Sequence, residues 1–175
     1  MISKRVLLIG LLLGPSVALA QSGTESPRDY QLKMLGYQRK VLLAMADSMP
    51  ERLYRDKATP TQRDFAQQLH HAANTAAYIA SATLKGPPLS LPDTGSTFNS
   101  RAGMRRFING AFDYMEGVFK SENASARAQT VDLFGQKMPA WQVWDEVFTH
   151  TVWTAGQVVG NFRKQGMAPP AFSFF

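Results

Sequence analysis

Cysteine is absent from all 175 residues. That excludes disulfides, a thiol nucleophile and thiolate metal ligands, so stability must come from packing and any metal must be held by nitrogen or oxygen donors. Charge is sparse as well, with 18% of residues Asp, Glu, Lys or Arg. The formal charge is +6, but the basic residues are scattered, and Arg105-Arg106 and Arg163-Lys164 are no more than pairs. A nucleic-acid face gathers Lys and Arg into a stripe, so this pattern argues against nucleic acid as a partner and for an ordinary solvated surface. Long apolar runs are missing after residue 20, and nothing later approaches the roughly 20 apolar residues of a membrane-spanning helix. Internal repeats are missing, and no strand signal competes anywhere.

The first residues have the order of an export signal. Lys4 and Arg5 precede the apolar run Val6 to Gly14, Pro15 follows, and Ala18-Leu19-Ala20 puts small residues at the first and third positions before a cut. Cleavage is expected between Ala20 and Gln21, which makes the protein periplasmic or extracellular, with no membrane span in its mature form. Residues 21–27 are small and polar and read as a disordered lead-in. Residues 28–175 suit a single domain with one core.

Within that domain the apolar residues recur at helical spacing. A first helix is expected from about Arg28 to Met49, with Met34, Tyr37, Val41, Met45 and Met49 on one face and Pro50 as its stop. A second opens at Thr59-Pro60-Thr61-Gln62, a capping Thr followed by a first-turn Pro, and carries Phe65, Leu69, Ala72, Ala76 and Ile79 to Gly86-Pro87-Pro88. The Pro- and Gly-rich stretch Leu89 to Phe98 is long enough to cross between the ends of a helical bundle. A third helix follows from about Ser100 to Lys120, and its glycines Gly103, Gly110 and Gly117, seven apart, offer another helix a close approach. Ser121 to Pro139 reads as an irregular connector with a turn or two of helix around Ala126 to Phe134. The fourth helix spans about Ala140 to Lys164. The fold expected is all-α: a four-helix bundle with a long crossover connection.

The three histidines, His70, His71 and His150, all fall on these helices. His71 shares a helical line with Asp64, Gln67, Thr75 and Tyr78, and His150 shares one with Glu146, Thr154, Gln157 and Asn161. Two readings stay open at this point. Both lines are solvated faces, or they face each other across a bundle and hold a metal through imidazole, the commonest ligand for borderline metals such as zinc.

Met49-Pro50-Glu51, Thr59-Pro60, Phe65-Ala-Gln-Gln-Leu-His-His-Ala-Ala73, Leu84-Lys-Gly86 and above all His150-Thr-Val-Trp-Thr-Ala-Gly-Gln157 with Gly166-Met-Ala-Pro-Pro170 form a series. In order and spacing it resembles the DinB-like (DNA-damage-inducible-type) family. The resemblance implies a four-helix bundle that binds a divalent metal, zinc or nickel, through three histidines, one from the second helix and two from the fourth. His71 and His150 match the first two positions; the third is Thr154. Three groups could take its place: His70, Glu146 one turn before His150, or a water held by Thr154.

The resemblance also brings thiol-dependent transferases and isomerases, whose thiol cofactors are cytoplasmic and do not suit an exported chain. Two functions follow. In one, the metal site is degenerate and the protein is a non-catalytic or small-ligand-binding member, with Tyr78, Trp153 and Gln157 as ligand contacts. In the other, it is a divalent-metal-dependent enzyme of hydrolase or transferase type using His71 and His150. The aromatic tail Phe172-Ser-Phe-Phe175 is a contact for a homodimer or folds back on the bundle.

Overall fold

The computed structural model describes residues 25–171. The export signal read over residues 1–20, most of the lead-in, and the tail Phe172–Phe175 lie outside the described residues. The chain is mostly helical. Its elements are α1 (Pro27–Ser48), a 3-10 turn (Glu51–Leu53), α2 (Phe65–Thr83), α3 (Arg101–Ser121), α4 (Ala124–Ala128), β1 (Thr130–Leu133), β2 (Gln136–Pro139), α5 (Ala140–Gly156) and α6 (Val159–Lys164). Among the described residues no helix is long and apolar enough to cross a membrane.

Local chemistry explains where the helices begin. Ser26 caps α1 by accepting from the Asp29 amide, with Pro27 in the first turn, so the end of the expected lead-in is ordered helix start. The start of α2 differs from the sequence expectation. Thr59 to Gln62 forms a tight turn closed by the Gln62 amide on the Thr59 carbonyl, and the cap is Asp64. Its carboxylate accepts from the Gln67 amide at 2.8 Å while the Gln67 side chain accepts from the Asp64 amide at 3.1 Å. The reciprocal box wins because Lys57 pairs with Asp64 across that turn and the Phe65 amide bonds the Asp56 carbonyl, which buries Phe65 completely.

Each of α1 and α2 packs against both α3 and α5. The core between them holds Leu35, Leu42, Met49, Leu69, Phe107, Ile108, Phe112, Phe119, Val143 and Phe162, together with the buried alanines 66, 72, 73, 76, 77 and 80 of α2. Tyr54 is wholly buried, its hydroxyl donating to the Ala46 carbonyl at 2.7 Å, and burial pushes its pKa up to about 12.

Two corrections concern the second half of the chain. The connector after α3 contains a short helix and then an antiparallel hairpin, β1 paired with β2, where no strand was expected. Phe134 and Gly135, both at positive φ, make its two-residue turn, and the Asp132 carboxylate accepts from the Gly135 amide at 2.7 Å. The last helix is interrupted at Gln157–Val158. Gly156 weakens the helix there, and the break lets α6 turn so that the Asn161 side-chain Nδ2 donates to the Asp56 carbonyl at 2.8 Å and Lys164 reaches the Asp56 carboxylate at 3.0 Å.

The glycines of α3 do not form a groove for another helix. A Cβ on Gly103 would lie 2.2 Å from the Ser96 carbonyl oxygen, and one on Gly110 would lie 2.6 Å from Pro92, so both admit the crossover loop; around Gly117 nothing lies within 4 Å. Gly117→Ala is therefore expected to stabilise the protein by about 0.5–1 kcal/mol through helix propensity. Gly103→Ala should destabilise it by about 1–3 kcal/mol through overpacking against backbone. Urea denaturation of the two variants checks the contrast, and equal effects would refute this account of the loop.

Candidate functional site

The packing of α2 on α5 brings together the two histidines that the sequence placed 79 positions apart. Their rings meet edge to face, with centroids 5.5 Å apart and planes at 74°. Each is held by a threonine one turn further along its own helix: His71 Nδ1 shares a hydrogen bond with Thr75 Oγ1 at 3.1 Å, and His150 Nε2 shares one with Thr154 Oγ1 at 3.4 Å. His150 Nδ1 is buried and has no hydrogen-bond partner among the described residues.

The His150 line is not a solvated face. Thr154 and Asn161 are buried, and beside them lies a residue that sequence reasoning passed over, Gln68, itself 2% exposed. Gln68 donates to the Thr154 carbonyl at 3.3 Å and to the Gln157 side-chain oxygen at 3.2 Å, while its own Oε1 is buried without a partner. Its signal was available. Gln68 stands three after Phe65 and four before Ala72, a polar residue on an otherwise apolar helical face.

The other candidates fall elsewhere. His70 is stacked on Phe107 with centroids 4.2 Å apart, and its Nε2 is 2.9 Å from an Asp93 carboxylate oxygen, so its ring is held away from the His71–His150 pair. Glu146 is half-buried and makes no hydrogen bond to His150. Tyr78 and Trp153 are exposed, Trp153 by 76%, and neither lines the cavity beside His71. That cavity, of about 400 Å³, is bounded instead by Arg63, Gln67, His70, His71, Asn74 and Phe98.

The donor set decides what the pair can hold. It comprises two imidazoles and one hydroxyl, and among the described residues no three His, Asp or Glu side chains converge on one point. A tightly held catalytic zinc takes three protein ligands and keeps one open position, so these residues do not fit one. They suit hydrogen bonding instead. Burial lowers the basicity of both rings, with Arg63 and then His70 adding to the effect at His71 and the His71 ring adding to it at His150. Both are therefore neutral at pH 7, each ring carrying one nitrogen that donates and one that accepts.

The shifts have a consequence for stability. Both folded-state values lie below the ordinary 6.5, so as the pH falls through that value the unfolded chain binds protons that the folded chain refuses. The stability they confer is complete above 6.5 and lost on acidification toward the folded values. Thermal melts between about pH 7.5 and pH 5.5 are expected to show a falling Tm. Replacing both histidines with Gln should flatten that slope; a double variant that keeps the full slope would show that other groups carry it.

No protein-family model matches the chain, and no curated protein matches it.

Proposed function

We propose that the chain is an exported four-helix-bundle protein of the DinB-like type, with a long crossover connection, in which a degenerate metal centre serves to bind a small molecule. Export is supported by the basic, apolar and small-residue order of Met1 to Ala20. The DinB-like assignment is supported by the series of matched positions from Met49 to Pro170 and by four long helices enclosing one core.

The observation that carries the reading is the pair of neutral imidazoles 5.5 Å apart whose third family position is Thr154, a buried residue committed to His150. A threonine hydroxyl is a weak neutral ligand, so two imidazoles and Thr154 lack the grip on a metal that three histidines would have. What remains is a set of hydrogen-bonding groups, His71, His150 and Gln68 on helices and Gln157 at the C-cap of α5. Such a set orients a ligand and supplies no activated nucleophile.

The test is metal content and affinity in protein purified without a histidine tag. The native protein is expected to carry substoichiometric zinc and nickel. Thr154→His should raise zinc affinity by at least about a hundredfold by completing three ligands, with His150→Ala abolishing the gain. Stoichiometric zinc or nickel in the native protein, removed by His150→Ala, would overturn this reading and establish the metal-dependent enzyme in its place.

A further inference from the structure

We infer that the cavity beside His71 binds a small organic oxyanion with a planar apolar body. The inference rests on the small-ligand reading above and names the class of ligand.

The cavity's volume, about 400 Å³, is that of a small-molecule site. Its polar wall is one line along α2 and the residue preceding its cap: Arg63, Gln67, the histidines and Asn74 follow one another at three- to four-residue spacing and so project to one side. Phe98, from the crossover loop, is the facing aromatic wall.

The groups along this wall are donors left available. Arg63 has no hydrogen-bond or ion-pair partner among the described residues, and neither has Asn74. Gln67 spends its side-chain oxygen on the helix cap, which leaves its NH2 as the free end. His71 spends Nδ1 on Thr75, which leaves Nε2. The nearby acids are already engaged, Asp64 with Arg55 at 2.8 Å and Asp93 with His70 at 2.9 Å. The unmatched charge of the cavity is therefore the Arg63 guanidinium. Its planar fork matches the oxygens of a carboxylate or a phosphate. Arg63 and His71 line the same cavity, and the Arg63 charge contributes to that ring's lowered basicity. Phe98 and His70 pack on each other with centroids 4.9 Å apart, the Arg55 guanidinium lies 5.8 Å from the Phe98 centroid, and the ring surface that the two still present to the cavity is what a planar body would meet.

Oxyanions of two kinds share this chemistry, and NMR titration of the purified protein with benzoate, phenyl phosphate and benzyl alcohol separates them. Benzoate, phenyl phosphate or both are expected to shift the Asn74 side-chain and His71 ring resonances, the tighter of the two identifying the head group, while benzyl alcohol leaves them in place. Arg63→Gln should weaken anion binding by at least about tenfold, and Arg63→Lys should restore part of it; Arg63 is exposed, so both variants fold. Equal binding of benzyl alcohol, an unchanged affinity in Arg63→Gln, or no shift with either anion at millimolar concentration would overturn the inference. Anion binding through Arg63 in a protein whose Thr154→His variant gains no metal would remove the degenerate-centre reading and keep this one. The opposite pattern would do the reverse.

Discussion

The closeness of α2 to its neighbours is the constraint on which the rest depends, and alanine sets it. Six alanines of α2, at positions 66, 72, 73, 76, 77 and 80, are fully buried. A side chain of one carbon lets the backbones of α3 and α5 come near without interdigitation of long side chains, and the larger residues of the facing helices, Phe107, Phe112 and Val147 among them, fill the space that remains. His71 and His150 both project from this contact between α2 and α5, so their separation follows from it. A larger residue at position 72 or 76 would push the helices apart and carry the two rings away from each other before altering either histidine.

Polar groups fix the relative positions of the helices where the alanine contact cannot. Glu122, just past α3, is buried and accepts from Arg127 of α4 at 3.0 Å and from the Trp144 indole of α5 at 2.9 Å. Arg127 also donates to Gln31 of α1, and Gln31 donates to the Trp141 carbonyl at 2.9 Å and to Asp145 at 2.8 Å. Four helices thus meet in one hydrogen-bonded cluster, and the guanidiniums of Arg28 and Arg127 lie over the ring of Phe119, 5.1 and 4.9 Å from its centroid. Asp56 plays the corresponding part at α6. Its carboxylate receives Lys164 and the Gln165 side chain, and the Lys164 bond foremost lowers its pKa. Charged hydrogen bonds of this kind add modest net energy, but they are directional, which apolar packing is not.

How much of this was legible in the sequence depended on whether the signal was local. Two of the long helices, α1 and α3, were read within a residue or two, since Met34 to Met49 and Met104 to Phe119 repeat at helical spacing whatever lies beside them. The hairpin was not, because Thr130 to Pro139 lacks the alternation of a half-buried strand and places Phe rather than Asn or Asp before Gly135 in the turn. The α2 cap was misplaced for a related reason: Thr59-Pro60 is a sound helix start taken alone, and it yields to Asp64 through the pairing of Lys57 with Asp64, a contact between turn and helix. At the site, spacing alone left His71 and His150 open between two solvated faces and a facing pair, and only the resemblance put them together. Gln68 and Arg63 were not legible, since their roles depend on what α5 and the crossover loop bring opposite them.

Thr154 takes its meaning from what surrounds it. Four buried side-chain polar atoms among the described residues lack a hydrogen-bond partner, and two of them, Gln68 Oε1 and His150 Nδ1, are at this site. Each such atom costs roughly 1–3 kcal/mol when nothing meets it. In a purely structural role, substitution of Gln68 or His150 by an apolar residue would relieve that cost. Half of these atoms lie beside the two neutral imidazoles, of which His71 lines the cavity, and local departures from a satisfied core gather at functional sites. The unpartnered atoms of Gln68 and His150 are buried, whereas Arg63 and Asn74 line the cavity with donors to spare.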